Sequence, residues 1–369
     1  MSLDPRIETV TEAELENRRL RSKVKDLERQ ADRARAGESA WLAALERCFV
    51  EPQTVAIPPR PKLDRRKRSQ RTMVLHLSDT QIGKITSSYN TEVARERIVE
   101  RLFSRMESLL EAERSIHKIN DLRVYLGGDM VEGEMVFPTQ PHFIDSPVIE
   151  QTIETAHIIV DLLAKLSGLV RNIRVVAVRG NHGRSGKYDR TNPATNWDSM
   201  TYECISMILK GTKLGERVEL IHDREKFYQI DYIYNWGFLL VHGDQIRGQL
   251  GLPWYGVRKK ASGWQDSLTM MVDGYRVSES WDYLLFGHFH TYAGPVTDNF
   301  RIWMCNGTTE SDNEYAQEGL AACGEPVQRV GFVSPERGWE KDCPVYLSEK
   351  QRLPQRKMAA LQARAIAGK

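Results

Sequence analysis

The sequence predicts an α/β fold in which a buried sheet is covered by helices, preceded by a separate helical segment. Three observations predict it. Apolar runs of strand length alternate with segments of helical spacing through the first half of the body. After a further helix the chain turns strand-rich, in RVELIH, FYQIDYIY, WGFLLVHGD, WDYLLFGHFH and RIWMCNG. Ahead of both, residues 8–45 are rich in Ala, Leu, Glu and Arg and carry a heptad pattern.

At about 150 residues per domain, 369 residues make one large domain with appendages, or two domains. Four segments are expected: 1–48, 49–71, 72–340 and 341–369. In the first, placing Asn17 at position a gives a/d sites Val10, Ala13, Asn17, Leu20, Val24, Leu27, Ala31 and Ala34. An Asn at one a site costs stability but fixes register and a two-stranded state. Glu16 then faces Arg21 of a parallel partner, and Lys23 faces Glu28. A parallel homodimeric coiled coil is expected; a lone amphipathic helix packed on the body is the alternative. In segment 49–71, Pro52, Pro58, Pro59 and Pro61 bar a helix and favour an extended spacer.

The body opens with the apolar run MVLHLSD. Helical spacing follows at Val99, Leu102, Met106 and Leu109, then the strand LRVYLGGD. It recurs at Ile149, Ile153, Ala156, Val160 and Leu163, before the strand IRVVAVRGNH.

Hydrophobic residues at 41% and charged residues at 28% exclude wholesale disorder and a collagen-like repeat. No apolar run reaches the roughly 18 residues that span a bilayer, so no membrane association is expected. The first residues lack the apolar core of a signal peptide. Five cysteines without a CxxC pair suit reduced thiols, and a cytosolic location is expected, in a bacterial or phage-infected cell. The net charge of +2 is unevenly spread. Residues 60–71 carry +6 and residues 341–369 carry +5, leaving −9 on the rest. Basic segments of this kind neutralise phosphates without sequence preference, or serve as solvated spacers.

Five strands end in residues competent to bind metal: Ser78-Asp79-Thr80-Gln81, Gly127-Gly128-Asp129, Gly180-Asn181-His182, Val241-His242-Gly243-Asp244 and Gly287-His288-Phe289-His290. Strand ends position what their loops present. Carboxylate, amide and imidazole suit Mn²⁺, Fe or Zn²⁺ rather than a thiolate site. One such turn is commonplace; five in order, each closing an apolar run, point to a site.

This ordered set resembles the calcineurin-like metallophosphoesterase superfamily over roughly residues 73–307, and more loosely the nuclease subunits of SbcCD-type complexes and exonuclease-like phage proteins. The resemblance implies a sandwich of two mixed sheets flanked by helices, a four-layer αββα arrangement, with two divalent ions at one edge. Manganese is the expected metal, with Mg²⁺, Fe or Zn²⁺ as alternatives. By motif, Asp79, Gln81, Asp129 and His290 would hold one ion. Asp129 would bridge to a second, held also by Asn181, His242 and His288. His182 would face the scissile phosphate and protonate the leaving oxygen. Two such ions clamp phosphate oxygens and activate a shared water for in-line attack.

The sequence departs from the family pattern in three places. Gln81 stands where His is usual, which weakens the first ion's site. Gly183 stands where an acid is common, which removes a partner for His182. The second motif, Asp129-Met130-Val131-Glu132-Gly133, lacks the histidine of the recombination-repair nucleases.

The basic segments and the expected dimer lean toward a DNA nuclease, exonuclease or endonuclease. A small-molecule phosphodiesterase or phosphomonoesterase is the alternative, and a non-catalytic DNA-binding or scaffold protein with a degraded site a further one. Any ATPase partner is not identified by the sequence. Arg179, Arg184, Lys187 and His142 are candidate phosphate contacts. Trp254, Tyr255 and Trp264 beside Arg258, Lys259 and Lys260 form a candidate stacking platform, or plug a core edge.

Overall fold

The structure is a computed structural model, and it describes residues 20, 21, 23–25, 56–136, 139–186, 192–247, 252–273, 275–299, 301–312, 325–348 and 364. The chain divides into two compact units, Met1–Gln53 and Thr54–Lys369. In the first unit, Leu20, Arg21, Lys23, Val24 and Lys25 are helical and exposed. The expected coiled coil over residues 1–48 otherwise lies outside the described residues.

β1 (Thr72–Leu77) is buried at every position, as a strand covered on both faces must be. It pairs in parallel with β2 (Asp121–Leu126), which pairs in parallel with β3 (Asn172–Ala177), and β3 with β4 (Val218–His222). On its other side β1 pairs antiparallel with β12 (Val327–Ser334), which pairs with β13 (Gly338–Tyr346). A second sheet has the order β10 (Ala293–Asp298), β11 (Arg301–Cys305), β9 (Tyr283–Phe286), β6 (Trp236–Val241) and β5 (Tyr228–Ile233). β7 (Thr269–Val272) and β8 (Tyr275–Ser278) form a separate hairpin.

Asn90 caps α1 (Thr91–Arg95) by accepting from the Val93 N–H. The helix continues through a π-helical stretch (Glu96–Leu102) into α2 (Phe103–Arg114). α3 (Val148–Leu166), α4 (Trp197–Lys210) and α5 (Trp254–Ser267) follow.

The two-residue period of the strands sorts their side chains into separate cores. Leu75, Leu77, Val124, Leu126 and Val175 pack against Ile98, Leu102, Ile159, Leu163 and Ile205 of the helices. Val74, Tyr125 and Val176 point the other way and meet Phe238, Leu240, Leu285 and Trp339 between the sheets. On the far face of the second sheet, Leu239, Val241, Leu284 and Phe286 pack with Val257, Ala261 and Trp264. Each such burial contributes about 1.5–3 kcal/mol.

One expected boundary differs, and residues 56–71 of the expected spacer are laid along the body as a strap. Arg217 donates to the Pro58 carbonyl at 2.7 Å, and Arg60 to Asn172 Oδ1 at 2.8 Å. Arg68 donates to the Ser115 carbonyl at 2.6 Å, and Arg71 pairs with Glu113 and Glu340. Part of its basic charge is therefore spent on the protein itself. The tail expected from residue 341 begins inside β13, whose pairing with β12 runs to Tyr346, and Leu347 is buried beyond it. Alternating charge in EKDCPVY hides an edge strand with one solvated face.

Candidate metal centre

The five motifs follow β1, β2, β3, β6 and β9, and the first, second and fifth share an uncommon backbone. Asp79, Gln81, Asp129, His288 and His290 have φ of 54°, 43°, 50°, 69° and 51°. This left-handed region costs roughly 1–2 kcal/mol for a residue with a Cβ. Hydrogen bonds hold it: Asp79 N–H to the Gly128 carbonyl at 3.0 Å, Gln81 N–H to the Asp129 carbonyl at 2.9 Å, and His288 N–H to Asp79 Oδ1 at 2.9 Å. Gly180 lets the third motif approach the second, since a Cβ there would lie 2.1 Å from Asp129 Oδ1.

His242 is fully buried, and its Nδ1 lies 2.9 Å from the Gly127 carbonyl. A carbonyl only accepts, so Nδ1 carries the hydrogen and Nε2 faces inward. That Nε2 is 3.0 Å from Asp129 Oδ2 and 3.1 Å from Asn181 Oδ1. Asp129 Oδ2 is buried, and among the described residues no hydrogen-bond donor meets it other than the His242 ring when that carries a proton at Nε2. His288 joins the group, with one ligand atom each of Asp129, His242 and His288 lying within 4.8 Å of the others. Converging lone pairs repel unless a proton or a cation sits among them. Burial pulls the His242 imidazole down, but the carboxylates of Asp129, Asp79 and Asp244 outweigh it and carry its pKa up to about 10. Burial, reinforced by the His242 charge, pushes His288 down to about 3. Burial lifts Asp129, yet the imidazoles of His242 and His182 hold it well below the usual carboxylate range. One carboxylate, one amide oxygen and two imidazoles fit a divalent transition metal.

Asp79 and His290 lie on the other side, with His290 Nε2 3.4 Å from Asp79 Oδ1. Gln81 Nε2 is 3.1 Å from His290 Nε2, and Lys84 Nζ donates to Gln81 Oε1 at 2.9 Å.

His182 stands beside Asp129, its Nε2 4.0 Å from Asp129 Oδ2 and its backbone N–H on Asp129 Oδ1 at 2.7 Å. Its Nδ1 lies 3.1 Å from Glu132 Oε2 and 3.1 Å from the Glu132 carbonyl. The expected loss of a partner at Gly183 is therefore corrected: Glu132, three residues after Asp129, supplies the acid. Burial pulls His182 down, and Glu132 and Asp129 more than offset it, so its pKa is raised.

Asp198, in the first turn of α4, accepts backbone N–H bonds from Asp129 at 2.9 Å, Met130 at 3.0 Å, Val131 at 3.3 Å and Gly180 at 2.8 Å. It ties the second motif to the third. Burial and the Asp129 charge push its carboxyl up to about 6. Asn196 caps the same helix and donates to the Gly180 carbonyl at 2.9 Å. Glu132, Asp198, Lys84 and Glu310 escaped the sequence reading. Glu132 trails the second strand-end motif by three residues, a signal that points to it; Glu310 has only its place five residues beyond β11, and Asp198 its place behind the helix cap.

Other candidates fall outside the cluster. His142 is exposed on the 3₁₀ turn Gln140–His142, and no described hydrogen bond or ion pair joins it to the centre; its neighbour Gln140 reaches the Glu132 carbonyl at 2.6 Å. Arg184 pairs with Asp244, and Arg179 donates to the Lys226 carbonyl at 2.8 Å. Both line a cavity of about 950 Å³, with Arg247, Lys260, Phe227 and Trp264. Trp264 is 6% exposed and belongs to the core, whereas Tyr255 is 81% exposed, so the three aromatics do not form one platform. Lys187 lies outside the described residues.

No family model matches this chain, and no curated protein matches it. Among solved structures it is similar to Vps29 complexed with Zn²⁺ from Entamoeba histolytica, at 11% identity and a TM-score of 0.31, over 75% of this chain and 99% of that one. A predicted phosphoesterase from Streptococcus pneumoniae matches at 12% identity and 0.29, over 74% of this chain and 98% of that one. The Thermus thermophilus sulfate thiohydrolase SoxB matches at 10% identity and 0.33, over 84% of this chain and 61% of that one. By its own motifs, carried on paired mixed sheets and converging at Asp129, the chain resembles the calcineurin-like metallophosphoesterases.

Proposed function

We propose that this protein is a metal-dependent phosphoester hydrolase acting on nucleic acid, and that it is a DNA nuclease. The carrying observation is the convergence of Asp129 Oδ2, Asn181 Oδ1 and His242 Nε2, with His182 alongside. A divalent ion held there, with His288, would polarise a phosphate oxygen and acidify a water. The chain's own residues do the rest. Glu132 fixes the His182 ring at Nδ1 and favours its protonated form, so that Nε2 presents a proton toward the centre for the leaving oxygen. Gly127 fixes the tautomer of His242. Arg179, Arg247 and Lys260 put positive charge on the wall of the neighbouring cavity, where Asp244 offsets only Arg184, and this supports a polyanionic substrate.

The test compares a labelled oligonucleotide with a chromogenic phosphodiester in Mn²⁺, for the wild type and His182→Ala. Oligonucleotide cleavage that falls at least a hundredfold in the variant supports the reading. Cleavage of the small ester alone favours a small-molecule phosphodiesterase, and cleavage untouched by His182→Ala removes the catalytic assignment. A homodimer through residues 1–48 belongs to the same proposal: a chain lacking them then sediments as a monomer.

A further inference from the structure

We infer that this chain holds a single divalent ion, at Asp129, Asn181, His242 and His288, and that the Lys84 ammonium stands in for a second. The inference rests on the metal centre of the proposed function and departs from the two ions the motifs lead one to expect.

The two halves of the centre differ in how their lone pairs are spent. In the Asn181–His242 half, Asp129 Oδ2, Asn181 Oδ1 and the Nε2 of a neutral His242 face one another, and among the described residues no donor but a protonated His242 ring meets Asp129 Oδ2. In the Asp79–His290 half, protein donors already occupy the candidate ligands. Lys84 Nζ lies 2.9 Å from Gln81 Oε1 and 2.6 Å from Glu310 Oε2. An ammonium only donates, so the Gln81 amide must turn its oxygen to Lys84. Its NH₂ then faces His290 Nε2 at 3.1 Å, which accepts when the ring is neutral. The other ring nitrogen of His290, Nδ1, is 2.6 Å from Glu310 Oε1 and carries the hydrogen. Asp79 Oδ1 takes the His288 N–H at 2.9 Å, and Oδ2 takes the Ser78 hydroxyl at 2.6 Å.

The ammonium is built in. The Lys84 side chain is 13% exposed and that of Glu310 2%. Gly83, at φ 100°, makes the turn that delivers Lys84; a Cβ there would lie 2.3 Å from the Gln151 side chain. The Lys84 backbone is fastened to the Gln81 carbonyl at 3.1 Å. A neutral glutamine thus replaces an imidazole ligand and at the same time docks a fixed cation. Lys84 then supplies the positive charge on that side of a bound phosphate at any metal concentration.

The test is metal stoichiometry, read apart from activity. Full-length protein is dialysed against Mn²⁺ and analysed for metal per chain and by electron paramagnetic resonance. One ion per chain and an uncoupled Mn²⁺ signal are expected. His242→Ala empties the site and His290→Ala leaves the single ion in place. Lys84→Met frees Glu310 beside His290 and Asp79 and admits a second ion, with a spin-coupled signal. Two ions in the wild type overturn the inference without any variant. A folded Lys84→Met chain that still binds one removes Lys84 as the cause. A wild type that binds none sinks the metal centre itself, and with it the proposed function.

Discussion

Asp198→Ala removes one carboxylate from four backbone donors, and its cost can be worked from the structure. The lost bonds run to the N–H groups of Asp129, Met130, Val131 and Gly180, at 2.8–3.3 Å. At about 1.5 kcal/mol for each bond to a charged acceptor, the loss is about 6 kcal/mol. Against it stands the cost of keeping the carboxyl ionised in the interior. Burial and the Asp129 charge together outweigh the bonds in setting its pKa, which is pushed up to about 6. With the bonds offset by about half, the destabilisation is about 3 kcal/mol, or roughly 6–12 °C in melting temperature for a domain of this size. Because Asp129 hangs from the same carboxylate, Mn²⁺ affinity falls as well. Thermal unfolding followed by circular dichroism in a chelator reads the first effect, and calorimetric Mn²⁺ titration at low temperature reads the second. A variant that melts within about 2 °C of the wild type and keeps its Mn²⁺ affinity refutes the role given to Asp198.

Three further outcomes follow from particular contacts. Glu132→Gln removes the carboxylate that raises the His182 pKa, so kcat should fall about 10–100-fold and the alkaline limb of its pH profile should move to lower pH; an unshifted profile separates Glu132 from the catalytic proton. Gly180→Ala puts a Cβ 2.3 Å from the Asp129 backbone nitrogen, so Mn²⁺ affinity should drop at least tenfold by titration while the circular dichroism spectrum is retained. His76 is buried in β1, where burial and then the Arg329 charge push its pKa down to about 3, below the unfolded value near 6.5. Its contribution to stability is therefore present above pH 6.5 and drains as the pH falls, by about 3 kcal/mol at pH 4.5; the urea midpoint of the wild type should fall relative to that of His76→Leu between pH 6.5 and 4.5, and parallel curves would contradict this.

The sequence carries the strand ends well and their supports badly. Asp129, Asn181, His242 and His288 are legible because each closes an apolar run with a glycine beside it, and an alternating strand period fixes where such a residue emerges. Lys84, Glu132, Asp198 and Glu310 are not, because in one dimension a charged residue in a loop has no partner. Lys84 meets Glu310 only once β1 and β11 have been brought into place. The prolines of residues 58–61 show extended backbone but not its neighbour. Pro58 lies where a Cβ on Gly168 would come within 2.8 Å of it, a contact made by tertiary packing alone. Trp264 among its lysines reads either as a stacking aromatic or as a plug for a core edge, and only the five-stranded sheet, by presenting a face for it to cover, decides for the second.

The place of β12 beside β1 has a consequence during synthesis. Residues 72–76 wait for residues 329–333 to complete their pairing, and Ser78 N–H takes its acceptor from Gln328 at 3.0 Å. The Asp79 carbonyl is likewise met by the Thr308 hydroxyl at 2.7 Å. Translation delivers these pieces more than two hundred residues after the first motif. A nascent polypeptide therefore carries every motif through Gly287–His290 before Thr308 and residues 328–333 arrive to finish the centre.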